Sequence, residues 1–222
     1  MAEEEKSLSV LESIKLDDYR IGNAQALVYD RRKTDLFPAG FLSQLYFSFL
    51  GNRYNKREGT GILEVMLCGF SDLSHDSVVQ LFLRTPLVIL GVWEDDKFNA
   101  AGIAFPTIMI GAGEEERACY AGYGYQRKWW GSAEQEVLTL LGLSILFQEM
   151  GLQAVHGVRF AENDLTAKYM QRFGFKDVCT MPSQMTRKGK LVPGVVSTLD
   201  RATFESTVER MVLEAYQAKK SA

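Results

Sequence analysis

Histidine and cysteine are scarce in this chain. Only His75 and His156 occur among its 222 residues, so zinc chemistry and histidine-based triads have little material. His156 falls inside an apolar run, Ala154 to Arg159, where a structural role is expected. The three cysteines, Cys68, Cys119 and Cys179, are odd in number and far apart, and suggest neither a disulfide framework nor a metal knuckle. They read as small buried apolar residues. No run approaches the roughly 18 apolar residues of a spanning helix, and the acidic opening Met1 to Lys6 lacks the apolar core of a signal peptide. A net charge of −3 gives no general attraction to nucleic acid or to acidic membranes. The expectation is a cytoplasmic protein with no nucleic-acid or membrane partner and no metal.

What is present is a length that buries a substantial core in one domain without staples. Residues 1–18 read as a tail or short helix, 19–216 as a single domain, and 217–222 as a fraying end. From Tyr19 to Tyr29, alternation through Ala24, Ala26 and Val28 suits a first strand. Phe41, Leu42, Leu45, Tyr46, Phe49 and Leu50 recur at helical spacing after Pro38. Asn52 to Gly61 reads as a loop, and Ile62 to Phe70 leans to helix. Ser74 is a candidate cap for a helix through Val78, Val79, Phe82 and Leu83. Leu87 to Trp93 and Ala100 to Ile110 form a strand pair across a charged turn, and Pro106 argues for a bend or an edge in the second. Ala118 to Tyr125 follows the turn Gly111 to Arg117 as a fourth strand.

The rest of the chain is arranged around Gly131 to Phe175. A helix over 134–150 is apolar around most of its circumference, so it must be covered on more than one side. Gly151 ends it, and Leu152 to Phe160 returns to the sheet. Asn163 opens the next helix, Lys176 to Met181 and Gly194 to Leu199 give two more strands around a basic loop Thr186 to Lys190, and Asp200 caps a last helix. Two loop-to-helix junctions separated by one strand place two helix N-termini at one sheet edge, a natural anion or cofactor site.

Asn163, Thr166, Phe173, Gly174 and Phe175 stand at a spacing that resembles the C-terminal motif of the GCN5-related N-acetyltransferase (GNAT) superfamily. Upstream, Lys128, Trp129, Trp130, Gly131, Ser132 and Ala133 resemble that family's pyrophosphate loop, with Lys128 where Arg or Gln is usual. In another register, Trp130 to Ala133 resembles the Trp-Gly-Lys-Gly of the ribosomal-protein acetyltransferase branch. The resemblance implies an α/β (α+β) fold with a mixed, mostly antiparallel sheet of six to seven strands flanked by helices. It implies acetyl-CoA as co-substrate and a small-molecule or peptide amine as acceptor, with a homodimer allowed.

Carried onto these positions, the resemblance puts the diphosphate against the backbone of Gly131, Ser132 and Ala133, with Arg127 or Lys128 adding a cation. A backbone amide near Tyr123 to Tyr125 would polarise the thioester carbonyl, and Asn163, with Thr166 beside it, would meet the pantetheine or simply cap its helix. Many family members carry a tyrosine seven residues after this asparagine as the general acid. Here that position is Met170 and the tyrosine is Tyr169, turned by about 100° on a helix. Tyr169 is therefore the candidate acid, with departure of the thiolate unaided as the alternative. Glu162 and Glu116 are candidate bases, and neither is selected by the sequence. Tyr120 lines the acceptor side or packs in the core. The readings left open are an acetyltransferase acting by direct attack in a ternary complex, transfer of a longer acyl group, a catalytically weak or inactive CoA-binding module, and an unrelated α/β protein in which the two motifs coincide.

Overall fold

The computed structural model describes residues 19–50, 74–111, 117–187 and 190–221. The tail 1–18, the loop and helix expected over 52–70, Cys68, Glu116 and the tip of the turn after Gly111 lie outside the described residues. The strands are β1 (Arg20–Ile21), β2 (Ala24–Val28), β3 (Val88–Glu94), β4 (Lys97–Ile110), β5 (Ala118–Tyr125), β6 (Ala154–Phe160), β7 (Lys176–Arg187) and β8 (Lys190–Asp200). Helices are α1 (Phe41–Leu50), α2 (His75–Arg84), α3 (Ala133–Ser144), α4 (Asp164–Arg172) and α5 (Arg201–Ser221).

All eight strands join one sheet in the order β1-β2-β3-β4-β5-β6-β8-β7. Every neighbouring pair is antiparallel except β5 and β6. The strand beyond the expected six or seven is β1. Gly22, at φ +62°, turns the chain so that Ile21 pairs with Ala24, splitting one expected strand into a short hairpin. The basic segment Thr186 to Lys190 is strand rather than loop almost to its tip, since Thr186 pairs with Leu191 and Arg187 with Lys190. Pro106 bends β4 without placing it at an edge. The register against β5 slips between Pro106 and Ile108, as a residue without an N–H requires in an inner strand.

Helices cover both faces. On one, Leu42, Leu45 and Tyr46 of α1 and Val78 and Phe82 of α2 pack on Leu87, Ile89, Ile103 and Phe105. On the other, Leu138, Leu141 and Ile145 meet Val88, Leu90 and Val92, while Leu140, Leu143, Leu146 and Phe147 meet Val155, Leu199, Phe173 and Phe204. One helix thus supplies two clusters, which is why α3 is apolar all round. Each of its buried leucines contributes about 1.5–3 kcal/mol of transfer free energy. Past Ser144 the helix widens into a π turn, Ile145–Glu149, before Gly151 at φ +65° releases the chain into β6. No helix among the described residues is long and apolar enough to cross a membrane.

Candidate functional site

The parallel pair β5 and β6 stays together for only three residues. Ala118, Cys119 and Tyr120 match Ala154, Val155 and His156. Beyond them β5 follows β4, with Ala121 to Tyr125 matched to Pro106 to Gly102, and β6 follows β8, with Gly157 to Phe160 matched to Ser197 to Gly194. The sheet therefore opens between Ala121–Tyr125 and Gly157–Phe160, and the two C-terminal strand ends diverge. Each end turns directly into a helix on the same face of the sheet.

The turn after β5 is built from backbone bonds. The Gln126 amide donates to Ala101 O at 2.8 Å and its side chain to Ala100 O at 3.0 Å, fixing where β5 ends. Trp129 N, Trp130 N and Ser132 N donate to Gln126 O, Arg127 O and Trp129 O, and the Trp130 indole N–H donates to Tyr125 O at 3.0 Å. Gly131, at φ +74°, reverses the chain into α3. Ser132 Oγ then accepts from Gln135 N at 3.2 Å, and the Gln135 side-chain oxygen accepts from Gly131 N at 2.7 Å. This reciprocal cap follows the Ser-x-x-Gln spacing of a capping box. The first-turn amides of Ala133 and Glu134 have no intrahelical acceptor, as at any helix start.

The turn after β6 has a matching logic. Asn163 N donates to Phe160 O at 3.0 Å; its side chain accepts from Thr166 N at 3.1 Å and donates to Thr166 Oγ1 at 2.7 Å. Asn163 is buried, and both ends of its amide are held by Thr166. Arg159, also buried, donates to the carbonyls of Phe160 and Ala161 and pairs with Asp177 at 2.7 Å, while Ser197 Oγ donates to Asp177 at 2.6 Å. A charge buried in β6 thus anchors the turn that starts α4.

Between the two helices runs a line of hydroxyls. Tyr125 Oη lies 2.6 Å from Thr139 Oγ1, which lies 2.6 Å from Tyr169 Oη. Thr139 and Tyr169 both also donate to Gln135 O, at 2.9 and 3.2 Å. Arg172 of α4 pairs with Glu136 of α3 just outside them. Burial pushes the Tyr169 phenol above its ordinary range, and does the same to Tyr123 and Tyr125. All three are neutral donors at physiological pH.

Three buried side-chain atoms have no hydrogen-bond partner among the described residues: Tyr123 Oη, Trp129 Nε1 and Arg159 Nε. They belong to β5, the turn after it, and β6. Buried polar atoms of this kind mark places where a ligand or ordered water completes the bonding. Of the other residues expected at the site, Arg127 and Lys128 are exposed, with the Lys128 ammonium 4.9 Å from the centre of the Trp129 ring. Glu162 is exposed on the turn after β6. Met170 packs over Gly157, where a Cβ would come within 2.6 Å of its terminal methyl.

Tyr120 faces His156 across the sheet at 5.2 Å. A surface hollow lined by Arg117, Glu149, Gln153 and Arg201 lies at the far end of α3. There Arg201 and Arg117 donate to the carbonyls of Phe147, Leu152 and Met150 and cap the end of the helix, away from the opening.

Spermidine N-acetyltransferase from Vibrio cholerae, solved with CoA and spermine, superposes at a TM-score of 0.60 and 13% identity, covering 82% of this chain and 98% of that one. A probable GNAT-family acetyltransferase from Chromobacterium violaceum superposes at 0.60 and 17% identity, covering 85% and 88%. The fold is that of the GNAT acetyltransferases. A third structure, the ribosomal-protein-S5-alanine acetyltransferase of Vibrio fischeri, matches at 0.56 with 9% identity over 82% and 96%. No family's sequence model and no curated protein matches the chain. The GNAT resemblance seen in Asn163 to Phe175 therefore holds at the level of fold, where it predicts a mixed, mostly antiparallel sheet.

Gln135, Thr139, Arg159 and Asp177 carry the local geometry of this opening and were not picked out by the motif. Two of them left a trace in the sequence. Ser132 and Gln135 have capping-box spacing, and Thr139 is a lone hydroxyl in the run Val137 to Leu141.

Proposed function

We propose that this chain transfers an acetyl group from acetyl-CoA to a primary amine, by direct attack in a ternary complex. The observation that carries the reading is the divergence of β5 and β6, with a capped helix N-terminus closing the C-terminal end of each strand. Support also comes from the fold neighbours, one of which was solved with CoA and spermine.

The residues present fit such a ligand. Gly131, Ser132 and Ala133 are small enough to let backbone approach a diphosphate, and the first-turn amides and helix dipole favour an anion there. Arg127 and Lys128 are exposed beside them. Glu134 and Glu136 in the same first turn oppose an anion, but Glu136 is already paired with Arg172. Tyr123 and Trp129, on β5 and in the turn after it, each carry an unpartnered buried polar atom among the described residues.

Acetyl-CoA would supply the acetyl group as an activated thioester. The chain's own part is to hold and to polarise. The unpaired inner edge of β5, at Tyr123 to Tyr125, offers a fixed amide to the carbonyl oxygen as negative charge develops on it. The acceptor nitrogen bonds to the carbonyl carbon, the carbon–sulfur bond breaks, and the sulfur leaves with its electron pair. Tyr169 is assigned as the proton donor to that sulfur, exchanging its bond to Thr139 for one to the thiol. Glu162 is assigned to take the ammonium proton from the acceptor, and the second proton that the nitrogen loses as the amide forms replaces the one Tyr169 gave to sulfur.

Isothermal titration with acetyl-CoA, followed by thiol release over a panel headed by polyamines and including amino sugars and peptide N-termini, tests this. Micromolar binding and release with at least one amine is the expected result. Binding without release for any amine would leave a CoA-binding module, and no binding would leave the fold alone.

A further inference from the structure

Past Gln126, four amides of the turn after β5 donate to acceptors before α3 begins, and they are not held alike. Those of Trp129, Trp130 and Ser132 donate to backbone carbonyls within the turn, which cannot leave without undoing it. Gly131 N donates to a side chain, Gln135 Oε1, at 2.7 Å. Gly131 itself is exposed, and a Cβ built on it would meet nothing within 4 Å. We infer that Gln135 is a built-in occupant of the nucleotide turn: its neutral carbonyl holds the Gly131 amide ready, and the diphosphate of an acyl-CoA displaces it.

This inference rests on the proposed acetyl-CoA site and adds to it a residue that sets affinity. A side chain can rotate away while the turn stays folded. The competition also has a direction, because a hydrogen bond to an ionised oxygen is roughly twice as strong as one to a neutral amide. Gln135 has two further duties that do not involve its side chain. Its N–H donates to Ser132 Oγ, and its carbonyl accepts from Thr139 and Tyr169. Replacing the side chain therefore removes only the Gly131 half of the reciprocal cap and leaves the Ser132 half and the α3–α4 contact in place.

The test is titration of CoA, and separately of pantetheine, which lacks the diphosphate, into wild type, Gln135→Ala and Gln135→Glu. Gln135→Ala should tighten CoA by about three- to tenfold, the size of one ordinary hydrogen bond no longer broken on binding. Gln135→Glu should weaken CoA by about tenfold or more, since its carboxylate grips the Gly131 amide and repels the diphosphate. Pantetheine should bind all three proteins equally. Exchange of the Gly131 amide proton, followed by NMR without ligand, should speed up in Gln135→Ala. An unchanged or weaker CoA affinity in Gln135→Ala, or an equal shift for pantetheine, would overturn the inference while leaving the acetyl-CoA site standing. Wild type that binds no CoA would overturn both.

Discussion

Tyr169 on α4 and Thr139 on α3 share a hydrogen bond of 2.6 Å, and through Thr139 the line extends to Tyr125 at the end of β5. Three elements that border the sheet opening are thereby fixed to one another. The phenol one residue before the position where many GNAT members carry their acid is thus turned toward the neighbouring helix. Met170, at that position, lies on Gly157.

Tyr169→Phe removes one donor from this line and leaves Thr139 bonded to Tyr125 and Gln135 O. It should lower stability by about 0.5–1.5 kcal/mol, as for one net hydrogen bond. If Tyr169 delivers the proton to sulfur, turnover should fall much more than CoA affinity. Thr139→Val should cost more, about 1–3 kcal/mol, because the buried Tyr125 hydroxyl loses its bond to Thr139 Oγ1. Denaturant melts with steady-state kinetics on the two variants separate the roles. Equal turnover in Tyr169→Phe would remove Tyr169 from the chemistry and keep it as a strut.

Tyr123 is the opposite case. Its hydroxyl is buried with no partner among the described residues, against Gly142 of α3. Tyr123→Phe should therefore raise thermal stability of the ligand-free protein, by about 1 kcal/mol, through relief of the unpaired group. A loss of stability instead would mean that an ordered water already satisfies it.

How much of this could be read from the chain depends on distance along it. Asn163 with Thr166, and Ser132 with Gln135, are three residues apart, and local capping rules reach that far. Gly151 and Gly174 both have positive φ, as their places just past helix C-termini predict. The apolar girth of α3 foretold cover on two sides. The Tyr169–Thr139 bond, at 30 residues' separation, and Arg159–Asp177, at 18, depend on helix rotation and strand register, which no local pattern encodes. The β1 hairpin was missed because one glycine inside an alternating run looks like any other.

The cysteines should differ in reactivity. Burial pushes the Cys119 thiol up to about 12, whereas Cys179 is exposed on β7. Only thiolate reacts at a useful rate. Iodoacetamide at pH 8 should modify Cys179 in the folded protein and spare Cys119 until denaturant is added, as read by peptide mass spectrometry. Modification of Cys119 at the native rate of Cys179 would contradict the packing around α3.

Asp200 caps α5, accepting from Thr203 N and Thr203 Oγ1, each at 2.8 Å. These bonds, the backbone one first, hold its carboxyl below the ordinary carboxylate range. A depressed folded pKa contributes stability above the unfolded value, near 3.9, and loses it as pH falls through the folded value. Asp200→Ala should cost about 1 kcal/mol at pH 7 and narrow its gap to wild type in acid. Asp200→Asn keeps a cap without a titrating group and should lose little at either pH. Chemical denaturation at pH 7 and pH 3 gives the comparison.

Gly131 offers the sharpest division between folding and binding. Its φ of +74° is costly for a residue with a Cβ, yet a Cβ there meets no atom within 4 Å. The penalty of Gly131→Val is therefore backbone strain alone, about 1–3 kcal/mol, and the chain can meet it by straightening this turn. Straightening redirects the Gly131 amide and displaces the first turn of α3, where the diphosphate is proposed to sit. CoA affinity should fall by tenfold or more while the circular dichroism spectrum and the cooperativity of unfolding persist. Pantetheine, which does not reach the turn, should bind as before. If CoA bound Gly131→Val as tightly as wild type, the diphosphate would have to lie elsewhere, and the exposed cations Arg127 and Lys128 would be the next place to look.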